Sequence, residues 1–142
     1  MNELRRKAIG LLARREHSRA ELARKLAADG TEEDIATVLA QLEAEGLLSD
    51  ARAAAAYVRA HAARFGAARL RQDLRARGLD AESALDEAGE HGSETDRAKA
   101  VWQKKFGAAP ADAKDWARQA RFLQSRGFAT DVIRRVLKEM DV

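Results

Sequence analysis

The sequence lacks cysteine altogether, and among its 142 residues it has one proline and 5% aromatic residues. Without cysteine there is no disulfide, thiolate metal ligand or thiol nucleophile, which fits a reducing cytoplasm. No apolar run approaches the roughly 20 residues that a membrane-spanning helix needs. Residues 1–6 are not followed by an uninterrupted apolar signal segment. We therefore expect a soluble, cytoplasmic protein that does not contact a membrane.

The residues that are abundant favour helix. Alanine, leucine, arginine, glutamate and lysine dominate the chain, and its nine glycines and single proline leave long stretches uninterrupted. These abundant residues have high helix propensity, whereas glycine and proline disfavour the helix interior. The composition predicts an all-α protein.

Three glycines recur at nearly constant spacing and suggest an internal repeat. Gly30, Gly78 and Gly127 are 48 and 49 residues apart, and a leucine stands four residues before each. Helix signals lie on both sides of each glycine, which suits a residue that ends a helix with positive φ. A fixed period of this length is typical of stacked supersecondary units. We predict a tandem array of three three-helix repeats, covering residues 1–48, 49–92 and 93–142.

Short polar residues mark where several helices begin. Ser18 with Glu21 forms a capping-box pattern, and Thr31 with Asp34 opens the following helix. Asp50 is the expected cap of the first helix of the second repeat.

No set of residues in the sequence resembles an active site. The three histidines, His17, His61 and His91, are 44 and 30 residues apart, and no cysteine completes a metal-binding set. We expect each histidine to be solvated. Without strands there is also no strand-to-helix glycine loop to hold a phosphate. The sequence therefore predicts a protein that is not an enzyme and needs no cofactor.

Basic residues are concentrated on the second helices of the second and third repeats. The net charge is only +3, but residues 51–80 and 98–142 each carry +5, and residues 81–97 between them carry −5. Leu70 and Leu74 define a buried side, so Arg71 and Arg75 face outward. The other members of this predicted arginine surface are Arg69, Arg77, Arg118, Arg121 and Arg126. Such a surface either contacts phosphates or carboxylates of a partner, or is a solvated face with local ion pairs.

Three ordered motifs carry a resemblance to a known family. Residues 8–22 read AxxLLARREHSxxEL, residues 47–52 read LLSDAR with YVR following at 57–59, and residues 121–128 read RFLxxRGF. Together they resemble the bacterial regulatory RecX family, whose second repeat contains a GYLSDxRFAxxYVR stretch. The chain departs from the family at Ala53, where an aromatic residue is usual, and at Ala68, near a frequent proline.

The resemblance implies a specific function. RecX proteins are elongated, curved arrays of three-helix repeats that bind the RecA recombinase and lodge in the groove of the RecA–DNA filament. They inhibit strand exchange and ATP hydrolysis, and block filament growth or promote disassembly. The family thus implies a monomer that acts in recombination, DNA repair and the SOS response, with RecA and its filament as partners and weak DNA binding possible. Arg59, within the YVR motif, joins the arginine surface as a candidate contact. Groove insertion and end capping stay open, as does contact of the arginines with DNA or with RecA.

Two other functions compete with this interpretation. Three-helix units can present a recognition helix to the DNA major groove, as transcriptional regulators do. However, the helix after each glycine is apolar or acidic in the first two repeats, which leaves few side chains for reading bases. A solenoid scaffold for short peptides is the other alternative, against which the arginine-rich helices argue.

Overall fold

A computed structural model describes residues 2–89 and 92–140 of the chain. Within these two ranges there are nine α-helices and no β-strand, in three groups of three. The prediction of an all-α array of three-helix units is confirmed. The helices are α1 (Asn2–Arg14), α2 (Arg19–Leu26), α3 (Glu32–Ala44), α4 (Asp50–His61), α5 (Ala67–Ala76), α6 (Ala81–Ala88), α7 (Glu94–Lys105), α8 (Ala113–Ser125) and α9 (Thr130–Met140).

Two predicted helix caps form as expected. The Ser18 hydroxyl accepts a hydrogen bond from the Glu21 amide at 3.0 Å, and the Thr31 hydroxyl accepts one from the Asp34 amide at 3.1 Å. Each bond satisfies a backbone donor that the first turn of a helix leaves without a partner, which stabilises the helix by about 1 kcal/mol.

The predicted cap at Asp50 is wrong, because the preceding residue takes that role. Ser49 is the N-cap of α4, and its hydroxyl accepts from the Arg52 amide at 3.2 Å. Asp50 is instead the first helical residue, and its carboxylate accepts from the Arg19 amide of the first unit at 2.8 Å. The aspartate therefore serves the contact between units.

Each unit has its own hydrophobic core. Leu22 and Leu26 in the first unit, Leu70 and Leu74 in the second and Leu123 in the third are fully buried on the second helix of their unit. Burying a leucine side chain is worth about 2 kcal/mol relative to leaving it exposed. Leu26, Leu74 and Leu123 are the leucines of the sequence repeat, since each stands four residues before its unit's glycine.

Neighbouring units contact each other through the ends of their second helices. The N-terminus of the second helix in one unit meets the C-terminus of the second helix in the next unit. The hydroxyl of Ser18, the N-cap of α2, donates to the carbonyl of Arg77, the C-cap of α5, at 2.6 Å. Likewise the amide of Gly66, the N-cap of α5, donates to the carbonyl of Arg126, the C-cap of α8, at 2.8 Å. Helices α8, α5 and α2 thus follow one another head to tail. The negative end of one helix dipole faces the positive end of the next, a favourable arrangement.

Glycine is required at both of these junctions. Gly78 and Gly127 have φ values of +72° and +89°, in the left-handed region. A Cβ at Gly78 would lie 2.8 Å from Ala20 Cβ, and one at Gly127 would lie 2.3 Å from Arg69 Cβ. The glycines let the neighbouring unit approach the helix end.

Gly30 occupies the same place in the repeat but differs in conformation. Its φ is not positive, contrary to prediction, and a Cβ there would meet only side chains of its own unit, with Leu4 nearest at 3.2 Å and Ile35 at 3.8 Å. Leu4 belongs to α1 of the same unit, whereas Gly78 and Gly127 each meet the unit before them in the chain. The constraint of close approach between units therefore does not apply to Gly30.

Candidate interaction surface

Arg71 and Arg75 lie on the outer face of α5 and share one carboxylate. The Nε atom of Arg71 is 3.2 Å and Nη2 of Arg75 is 3.7 Å from the same oxygen of Glu82 on α6. Both arginines point away from the fully buried Leu70 and Leu74, as the helical spacing predicts. Because Glu82 is 71% exposed, a partner can reach this group from solvent.

Arg69 and Arg77 are held by Asp73, a partly buried residue of α5. The Tyr57 hydroxyl donates to the carboxylate of Asp73, and Arg69 Nε donates to the same oxygen at 3.2 Å. Arg77 donates to the Asp73 carbonyl at 3.1 Å. Burial raises the pKa of Tyr57 well above its ordinary value, and the hydrogen bond to Asp73 and its negative charge raise it further. These two arginines therefore help to order the second unit.

The same two arginines close a stack of planar side chains along α4. Arg77 lies over the Tyr57 ring at 4.5 Å, Tyr57 stacks on His61 at 4.1 Å, and His61 stacks on Phe65 at 5.7 Å. Arg69 covers Phe65 at 4.3 Å. This stack is not among the predictions from sequence, although three aromatic rings at intervals of four residues are the signal that predicts it.

In the third unit, Arg118 and Arg126 have partners close to them in sequence. Arg118 pairs with Asp115 at 2.6 Å and lies over the Phe106 ring at 5.1 Å. Arg126 lies over the Phe122 ring at 5.0 Å, and its carbonyl forms the junction with the second unit. The pairing of Arg118 at i and i+3 is the local ion pair that the sequence left as an alternative.

Arg59 and Arg121 are different, because both are exposed and neither pairs with a carboxylate of the described residues within 4.0 Å. The predicted arginine surface thus contains two kinds of side chain. Arg69, Arg71, Arg75 and Arg118 have a carboxylate partner, while Arg59, Arg77, Arg121 and Arg126 have none in the part of the chain described.

The expectation that every histidine is solvated is wrong for His17. Its side chain is 2% exposed, with Nδ1 at 3.0 Å from the Arg15 carbonyl oxygen and Nε2 at 3.0 Å from Lys25 Nζ. Burial lowers the pKa of His17, and the charges of Arg15 and Lys25 act in the same direction, opposed in part by the hydrogen bond to the carbonyl. His61 is half-buried in the stack, and His91 lies outside the described residues. Among the described residues, no three metal-binding side chains come together.

A buried arginine and a carboxylate lock the second unit to the third. Arg97 is 6% exposed and donates to the Phe65 carbonyl at 3.4 Å, while burial lowers its pKa. One oxygen of Glu94 accepts from the amides of Ala67 and Ala129, at 3.3 and 3.4 Å. Glu94 therefore connects the start of α5 in the second unit to the residue before α9 in the third unit.

A cleft of about 370 Å³ separates the first unit from the second. Ala53, one of the two positions where the chain departs from the family pattern, lines this cleft beside Tyr57 and Arg77.

The observed molecule is a tandem three-helix-repeat protein whose outer surface is rich in arginine. Family descriptions of the RecX first, second and third three-helix domains match residues 5–42, 49–84 and 93–137 respectively. The chain therefore belongs to the RecX family of regulatory proteins.

Individual relatives agree with this assignment. Regulatory protein RecX of Leptothrix cholodnii is 49% identical over 140 residues, which cover 97% of this chain and 89% of the relative. The RecX of Ralstonia nicotianae is 45% identical, with 97% and 88% covered. The crystal structure of RecX from Lactobacillus salivarius matches with a TM-score of 0.81 at 22% identity, covering 99% of this chain and 96% of that one. This last likeness shows the shared fold.

None of the helices in the described ranges combines the length and the apolar character that crossing a membrane requires.

Proposed function

We propose that this protein binds the RecA recombinase and the RecA–DNA filament, and mainly inhibits RecA activity in homologous recombination and DNA repair. The observation that carries the proposal is membership of the RecX regulatory family across all three units. The proposal includes that the protein is a cytoplasmic monomer and that it binds DNA alone only weakly. We also propose unit boundaries at 48/49 and 92/93, next to the N-cap serines Ser49 and Ser93.

The arginine surface is the proposed contact. Helices α5 and α8 meet end to end, so their arginines lie on two consecutive units. The exposed ion pairs of Arg71 and Arg75 with Glu82 are each worth about 1 kcal/mol or less. A phosphate or a partner carboxylate can therefore replace Glu82 at small cost, and arginine can bind either group through two parallel hydrogen bonds.

The test compares charge variants in RecA ATP hydrolysis on single-stranded DNA. Substoichiometric wild-type protein should slow this hydrolysis. Arg71→Glu with Arg75→Glu should weaken inhibition. If both contacts are to phosphate, the slope of the logarithm of the binding constant against the logarithm of salt concentration should decrease in magnitude by about 2. The matched control is Arg134→Glu with Lys138→Glu, which reverses two exposed charges on α9.

Unchanged ATP hydrolysis with an equimolar excess of wild-type protein would refute the function itself. If the α5 variant inhibits like wild type and the α9 variant does not, the function stands and the contact lies on α9. Circular dichroism of both variants checks that helix content is unchanged.

A DNA-reading regulator is less well supported by the structure. The third helix of each unit would have to enter the major groove, yet α3 exposes Glu32 and Glu33 and α6 exposes Glu82. Carboxylates in these positions repel the phosphates that flank the groove. Tight, site-selective binding to duplex DNA without RecA, in a gel shift, would favour this alternative.

A further inference from the structure

A groove of about 470 Å³ lies where the second unit meets the third, and no residue of α5 lines it. One wall is Ala63, in the turn that follows α4. Val101 of α7 and Phe122 of α8 form the rest of its apolar floor. The groove therefore exists only because two consecutive units are packed together.

Four cations surround this apolar floor. They are Arg64, Lys104, Lys105 and Arg126, and no carboxylate is among the groove's lining residues. None of the four forms an ion pair with a described residue within 4.0 Å. Like charges held together repel one another, so the groove attracts anionic groups strongly.

Two of these cations already lie over the Phe122 ring in the groove. Lys105 Nζ lies over Phe122 at 5.4 Å from the ring centre, Arg126 lies over it at 5.0 Å, and Phe106 meets it edge to face at 5.4 Å. Nucleic-acid bases bind aromatic residues by stacking on a free ring face. The arrangement favours an aliphatic or aromatic side chain inserted between Ala63 and Val101 over a stacked base.

The junction keeps the groove in its binding geometry. Arg126 lines the groove with its side chain while its carbonyl accepts from the Gly66 amide at 2.8 Å. Arg97, on the same helix as Val101, reaches the carbonyl of Phe65 next to Arg64. A site held in place by such contacts loses little conformational entropy on binding.

We propose that this groove binds an acidic peptide segment carrying one large apolar side chain. The apolar side chain rests between Ala63 and Val101, and flanking carboxylates pair with Arg64, Lys104, Lys105 and Arg126. The proposal goes beyond the action on RecA, because it concerns a peptide ligand and a groove that shares only Arg126 with the arginine surface and does not depend on Arg71 or Arg75.

The test measures fluorescence anisotropy with a fluorescein-labelled heptapeptide that has phenylalanine at its centre and three acidic residues on each side. The same peptide with a central serine should bind at least tenfold more weakly, since burying one large apolar side chain is worth more than a factor of ten in affinity. Lys104→Glu with Lys105→Glu should weaken the phenylalanine peptide at least tenfold. Arg134→Glu with Lys138→Glu, the same charge change on α9, should leave its affinity within twofold.

Three results would overturn the proposal. Equal binding of the phenylalanine and serine peptides would show that the groove only attracts charge. Equal loss in the groove and α9 variants would show that net charge, not the groove, determines affinity. Binding of a twelve-residue oligo-dT more tightly than the peptide, abolished in the groove variant alone, would assign the groove to single-stranded DNA. Because the peptide experiment contains no RecA, its failure leaves the RecA proposal untouched.

Discussion

Replacing Gly127 by alanine should weaken the packing of the third unit against the second. The φ of +89° would be strained by about 1–2 kcal/mol in any residue with a Cβ. That Cβ would also lie 2.5 Å from the Arg69 amide nitrogen, so one backbone must move. The move breaks two hydrogen bonds between units, Gly66 to Arg126 at 2.8 Å and Ala68 to Gly127 at 3.2 Å, each worth about 1 kcal/mol. The total loss is about 3–4 kcal/mol.

The two tryptophans make this loss measurable, because Trp102 and Trp116 are the only ones in the chain and both lie in the third unit. Their fluorescence reports the third unit, and far-UV circular dichroism reports all three. Urea unfolding of the wild type should give coincident transitions, as expected of one cooperative unit. In Gly127→Ala the fluorescence midpoint should fall by about 1.5 M, for an m-value of about 2 kcal/mol per M, and separate from the dichroism midpoint.

Gly10→Ala is the matched control, since Gly10 lies inside α1 and a Cβ there meets nothing within 4 Å. This variant should gain up to about 1 kcal/mol from the higher helix propensity of alanine. If the two transitions of Gly127→Ala coincide and its midpoint stays within about 0.3 M of wild type, the close approach at the junction does not couple the units.

Three further predictions concern buried polar groups. Tyr57 is the only tyrosine, so absorbance at 295 nm should show less ionisation at pH 11 than for a free tyrosine, which is mostly ionised there. Since its folded pKa is raised by burial and by Asp73, the stabilisation is complete below about pH 10 and is lost as pH rises toward the folded pKa. Ser18→Ala should cost about 2 kcal/mol in urea unfolding, because it removes both the helix cap and the bond to the Arg77 carbonyl. His17, with its pKa lowered by burial, should titrate below about 6.5 by NMR, and its stabilisation, present above that pH, should be lost as pH falls through the folded pKa.

Much of the fold could be predicted from the sequence because its determinants are local. A serine or threonine cap acts on an amide three residues away, and Leu70 and Leu74 share a face through helical periodicity alone. The outward direction of Arg71 and Arg75 follows from the same periodicity. The stack of Tyr57 on His61 was equally local and therefore predictable.

The remainder depends on contacts between distant residues, which spacing does not reveal. The close approach of Gly78 to Ala20 and of Gly127 to Arg69 depends on which unit packs against each helix end. The sequence around His17 predicts a solvated histidine, but the fold buries this side chain beside Lys25. Glu82 reaches Arg71 across eleven residues and two helices. No periodicity within one helix predicts such a pairing.

The two charged surfaces differ in how binding should respond to their environment. At Arg71 a partner must first displace Glu82, so the net gain is the difference between two similar ion pairs and the contact is readily exchanged. At the groove, Lys104 and Lys105 have no carboxylate to release among the described residues, so an arriving anion gains the whole attraction. Cations without partners also set the long-range field that accelerates encounter. Salt should therefore weaken binding at the groove more steeply, per contact, than binding at the face of α5.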